Sequence, residues 1–147
     1  MAIAVSYNPG ISWKSEFLPL EEDGTPSDLD GTSLRMHVRA NIKSNEILAI
    51  ASTDNGKIVF KEVTLTYDVP YALDKTGTQE QEITGIGFEV KLSSEDTLNM
   101  YDCSFRPVAD IELTFPDGTI YPELVELVFN PNLSITRDFN VKNSSSS

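Results

Sequence analysis

Ala109-Asp110-Ile111-Glu112-Leu113-Thr114-Phe115 alternates apolar and polar residues, and after Pro116-Asp117-Gly118-Thr119 an apolar spacing of mostly two resumes at Tyr121, Val125, Leu127 and Phe129. Period two sends one set of side chains to a core and the other to water or a partner. Pro116 presets φ for a turn, and Asp117-Gly118 supplies the positive-φ position of a tight reversal. The stretch from Tyr101 to Asn130 therefore reads as a long β-hairpin with one buried face.

The same pattern extends in both directions. Between Ser33 and Asn41, Leu34, Met36, Val38 and Ala40 face one way, and Arg35, His37 and Arg39 face the other. Ile47 to Ile50 is a continuous apolar run, as expected of a strand covered on both faces. Asp54-Asn55-Gly56-Lys57 makes a turn. Ile58 and Phe60 begin a strand that Val63, Leu65 and Tyr67 continue out of phase, implying a bulge or a break. Asp68 to Glu82 shows no apolar period and reads as a long loop insertion, before Ile86, Phe88, Val90 and Leu92 restore alternation. Ser93 to Leu98 reads as one capped helical or irregular turn. Ile11, Trp13 and, after a slip of phase, Phe17 suggest an edge strand ended by Pro19. Leu133 to Arg137 suggests a last edge strand.

Seven to nine short strands with regular turn signals predict an all-β fold: a single immunoglobulin-like antiparallel β-sandwich with a loop insertion near 68–82. Residues 1–27 are expected to form an N-terminal arm or edge strand, 28–137 the sandwich, and 138–147 a flexible tail. At 147 residues one domain is the natural reading.

A net charge of −12, from 23 acidic against 11 basic residues, disfavours nucleic acid and anionic membrane as partners, because both demand a concentrated basic surface. The first ten residues lack a basic segment and a long apolar run, so no cleaved secretory signal is expected. No stretch reaches the roughly 18 apolar residues of a membrane span. The lone Cys103 permits no intrachain disulfide, and its alternation with Tyr101 and Phe105 suggests a small core residue.

Catalytic signals are sparse. His37 is the sole histidine, flanked on its strand face by two arginines that hold it neutral. No HExxH, CxxC, GxSxG or phosphate-loop motif occurs. One His and one Cys cannot build a zinc site rich in nitrogen and sulfur. Asp28-Leu29-Asp30-Gly31 has some of a calcium loop's carboxylates but not its twelve-residue spacing, and reads better as a turn. No catalytic residue, metal or cofactor is expected; an enzymatic reading would need a pocket that gathers acids around His37. The candidate functional residues are those of an interface. Arg35, His37 and Arg39 form a cationic stripe that either pairs with acids across the sheet, Glu89 among them, or meets an acidic neighbour. Trp13 and Phe17 are read either as core or as the anchor of a docking arm.

Asp28-Leu29-Asp30-Gly31 followed by Arg35-Met36-His37-Val38-Arg39 resembles the opening of small phage and prophage virion proteins. The likeness continues through Glu46 to Ile50, the Asp54 to Ile58 turn, Tyr101-Asp102, Ile111 to Thr114, the Pro116 to Thr119 turn and Ser134-Ile135-Thr136-Arg137. These domains are similar to the N-terminal anchoring module of phage baseplate upper proteins. Asp68 to Glu82 is longer than that pattern, the segment from Leu127 to Leu133 needs a gap, and the first 27 residues lie outside it. The resemblance implies a non-enzymatic virion component in a tail, baseplate, neck or fibre attachment. Its partners would be other virion proteins and, in a homo-oligomer or symmetric ring, further copies of itself. It would be made in the host cytoplasm and located in the virion. A head decoration protein is the nearest variant. A carbohydrate-binding β-sandwich with Trp13, Tyr71 or Tyr121 as stacking platforms is the rival from another class.

Overall fold

The computed structural model describes residues 2–70, 78–103 and 106–132. Among the described residues eight strands form two sheets: β1 (Ile3–Tyr7), β2 (Trp13–Phe17), β3 (Ser33–Arg39), β4 (Ile47–Ser52), β5 (Ile58–Pro70), β6 (Thr78–Leu92), β7 (Val108–Thr114) and β8 (Ile120–Pro131). One sheet has the order β1-β8-β7-β3-β4, the other β2-β6-β5. A single core joins them, with Leu34, Met36, Val38, Ile111 and Phe129 from the first sheet meeting Ile58, Phe88, Val90 and Leu92 from the second. This is an all-β, two-sheet fold. The expected antiparallel arrangement needs one correction: β1 runs parallel to β8, with Ile3 opposite Leu127 and Tyr7 opposite Pro131. A first strand that reaches the last from the same end of the sheet must lie parallel to it, and alternation within either strand carries no trace of that.

The predicted β7–β8 hairpin is present, but it starts at Val108 rather than Tyr101. Ala109, Ile111, Leu113, Leu127 and Phe129 are its buried face. Gly118 takes φ of 91° in the turn, and Thr119 N–H donates to Asp117 Oδ1 at 2.9 Å. Upstream lies a ten-residue helix, α1 (Ser94–Cys103), longer than the single turn expected. Ser93 Oγ accepts from Asp96 N–H at 3.1 Å and Asp96 Oδ2 accepts from Ser93 N–H at 2.9 Å, a reciprocal cap. Thr97 and Met100, three apart, are its buried residues. Cys103 consequently ends a helix and is exposed, not a core residue of a strand.

The loop insertion expected near 68–82 is corrected at both ends, where 68–70 and 78–82 are strand. Asp68 pairs with Glu80, Val69 with Gln79 and Pro70 with Thr78, as the outer rungs of a β5–β6 hairpin that keeps one register from Ile58–Val90 outward. Residues 71–77 of the expected loop, and the expected strand at Leu133 to Arg137, lie outside the described residues. Strand β2 pairs with β6 only from Phe88 to Leu92, so beyond that point the hairpin is a two-stranded ribbon among the described residues. The outer rungs, 68–70 with 78–80, carry no apolar alternation in the sequence that would mark them as strand.

The phase shift in β5 needs no bulge. Ile58 faces the shared core, whereas Val63, of opposite parity, is buried at 2% exposure on the other face. That face is covered by Leu18 and Pro26, from a small reversal closed by the Leu20–Pro26 bridge. The crossing is possible because β6 carries Gly85 and Gly87. A Cβ on Gly85 would stand 2.6 Å from Pro26 Cγ, and one on Gly87 would strike the Phe17 carbonyl oxygen.

Candidate functional site: two grooves at opposite ends of strand β3

The first 27 residues contribute an edge strand to each sheet, and this fixes Trp13 and Phe17. Both are partly buried against the core. The Trp13 ring meets Phe129 edge-on at 5.0 Å, and Phe17 stacks on Phe88 at 5.4 Å. Phe129 also takes the edge of Tyr7 at 5.9 Å. Tyr7 Oη is a buried polar atom without a hydrogen-bond partner among the described residues. Burial, reinforced by the Tyr101 phenol, pushes its pKa up to about 12, so it stays protonated.

Arg35, His37 and Arg39 alternate with the buried residues of β3 and stand on the outer face of the five-stranded sheet. Arg35 Nη2 is 2.6 Å from Glu112 Oε1 on β7, its partner in register. Glu89 is on the other sheet and faces Lys61 and Lys91 instead, at 3.8 and 3.9 Å. Arg39 Nη1 donates to the Ser44 carbonyl at 3.1 Å and so braces the β3–β4 connection. His37 sits between Ile50 and Asp110. Burial holds its pKa below the ordinary value; Arg35 and Arg39 push the same way, against Glu112 and Asp110. The imidazole is therefore neutral near pH 7.

His37 and Arg39 line a groove of about 240 Å³ with Ile42, Asp110, Glu126 and Val128. The groove does bring two acids to His37, which the sequence left open. Asp110 is opposite His37 in register and Glu126 opposite Asp110, but no group of three His, Cys, Asp or Glu side chains that could hold a metal occurs among the described residues. No serine, threonine or cysteine lines the groove to serve as a nucleophile. Ile42, on the connection that Arg39 braces, is 86% exposed.

A second groove, of about 400 Å³, lies at the other end of β3 and was not legible in the sequence as a site. Leu29, Phe60 and Ile86 give it an apolar lining, and Asp28, Asp30 and the backbone turn at Gly31 form its wall. Phe60 and Ile86 share the parity of the core-facing residues of β5 and β6, yet are 39% and 56% exposed. Asp28 Oδ1 accepts from Asp30 N–H at 3.0 Å, the turn that the Asp-Leu-Asp-Gly spacing implies. Gly31, with φ of 74°, brings the turn against Pro116 of the β7–β8 hairpin.

No family model matches this chain, and comparison with curated proteins and with solved structures likewise returns no match.

Proposed function

We propose that the protein is a non-enzymatic virion structural component, an adaptor that joins other virion proteins in a tail, baseplate or neck. The observation that carries the proposal is the β5–β6 ribbon. Residues 62–70 and 78–86 pair with each other and with no third strand among the described residues. Leu18 and Pro26 cover its inner rung at Val63 and Gly85; beyond that a two-stranded ribbon is marginal alone, and its open edges invite strand pairing. An arm of this length gains its stability by lying against a neighbour, which is what a particle joint provides.

The finer fold within this proposal is immunoglobulin-like. The sheet β2-β6-β5 has the B-E-D order of such domains, and β8-β7-β3-β4 matches the G-F-C-C′ order of their variable type. The likeness of the 28–137 segment to phage virion proteins points the same way.

The test is peptide mass spectrometry of density-purified particles, with copy number measured against the major capsid protein. A few to a few tens of copies, roughly the size of a symmetric ring, support an adaptor. Hundreds would indicate head decoration or a tube lattice, and absence would reject the virion reading. Carbohydrate binding keeps one supporting feature, the 53% exposed Tyr121. Trp13 is committed to Phe129, and Tyr71 is outside the described residues. A glycan array without hits counts against that alternative.

A further inference from the structure

From the placement of Ile42 and the Phe60–Ile86 groove, we infer that copies of this chain associate head to tail, the Ile42–Lys43 knob of one seating in the Asp28/Asp30-walled groove of the next. Ile42 is the most exposed of the large apolar side chains among the described residues, at 86%. It stands on a connection that is held rather than loose: Arg39 Nη1 bonds the Ser44 carbonyl, and Lys43 N–H donates to Asn41 Oδ1 at 2.9 Å. An aliphatic side chain held in water gains by burial.

The groove has the complementary chemistry. Its lining residues Phe60, Ile86 and Leu29 are apolar, its volume of about 400 Å³ exceeds what one isoleucine needs, and two carboxylates stand at its wall. Glu62, opposite Ile86 in the ribbon, adds a third acid to the same face. Asp28, Asp30, Glu62 and Lys43 have no ion-pair partner among the described residues. An apolar knob beside an ammonium therefore matches an apolar groove beside carboxylates.

The occupant is a second copy, because the ammonium-flanked knob matches the carboxylate-walled groove and the topology keeps the two apart within one chain. The groove-forming turn precedes Ser33 and the knob follows Arg39, so the whole of β3 separates them, roughly 23 Å of strand at about 3.3 Å per residue. The knob cannot reach its own groove. Between copies the same pair repeats in one direction, a heterologous contact that closes into a ring or continues as a filament according to the rotation per copy. The contact does not depend on the virion reading: failure here and absence from particles are separate results.

The test uses the full chain and two single variants, Ile42→Asp and Ile86→Asp, both at exposed positions, with circular dichroism to verify folding. Sedimentation velocity and light scattering over a concentration series should show the wild type growing beyond a dimer, and each variant alone monomeric. A one-to-one mixture of the two variants retains one intact knob and one intact groove. It should form dimers and nothing larger. Lys43→Glu and Asp30→Lys should each weaken association, and the double exchange should restore it. A wild type that stays monomeric up to on the order of 1 mM, the range of the weakest specific contacts, overturns the inference. So does a mixture of the two variants that remains monomeric, or an Ile42→Asp protein that assembles like the wild type.

Discussion

The Lys57 ammonium lies 2.7 Å from Asp96 Oδ2 and ties the β4–β5 turn to the first turn of α1. Asp96 is the same residue that caps the helix through Ser93. Burial alone would raise its pKa, but the Lys57 and Ser93 hydrogen bonds outweigh it and hold the carboxyl below its ordinary value. A depressed folded pKa contributes stability that is complete above the unfolded value near 3.8 and lost as pH falls through the folded one. Asp96→Asn should cost about 1 kcal/mol at neutral pH, by analogy with a lost cap and charged hydrogen bond. Its urea midpoint should also fall less steeply below pH 4 than the wild type's, and equal slopes for the two proteins would refute the assignment.

Gly87 should tolerate no side chain. Its missing Cβ is where the Phe17 carbonyl passes, and a backbone oxygen cannot rotate away. Gly87→Ala should destabilise by about 3 kcal/mol or more, at the high end for overpacking. Gly85→Ala meets the Pro26 ring instead and should cost about 1–3 kcal/mol. Equilibrium urea unfolding measures both, and equal tolerance at the two positions would contradict the crossing geometry.

Phe129 bridges the two N-terminal strands, taking the edges of Tyr7 and Trp13 at 5.9 and 5.0 Å. Phe129→Ala should cost about 3–5 kcal/mol, since it empties a fully buried ring site and removes two aromatic pairs. Trp13 is the only tryptophan, so its emission should shift to the red in the folded variant. An unchanged spectrum would mean that β2 does not pack on β8 through this pair.

What the sequence could express was local. The alternation of Leu34, Met36 and Val38 and the Pro116–Thr119 turn each state a constraint that one strand satisfies by itself, and both are in place. The remainder depends on partners distant in the chain. The parallel docking of β1 on β8 leaves no periodic mark. The phase change from Ile58 to Val63 records a change in which face is covered, by Leu18 and Pro26, rather than a bulge. Helix α1 hid behind a three-residue alternation that its Ser93–Asp96 cap overrides. For the candidate site, the stripe of Arg35, His37 and Arg39 was visible, whereas the second groove exists only because Phe60 and Ile86 come to rest beside Asp28 to Gly31.

His37 supplies the last prediction, because its pKa answers to named neighbours. Burial lowers it first, and Arg35 and Arg39 lower it further, while Glu112 and Asp110 oppose them. The ring should titrate below 6.5 by NMR. Arg35→Gln should raise the midpoint by removing a cation, and Glu112→Gln should lower it by removing an anion. The unfolded state binds the proton more tightly than the folded one, so stability is full above 6.5 and declines as pH falls towards the folded pKa. His37→Gln should lose this component of the pH dependence between 6.5 and the measured midpoint. If both charge variants instead moved the midpoint in the same direction, the stripe would not act on His37 as a set of neighbouring charges.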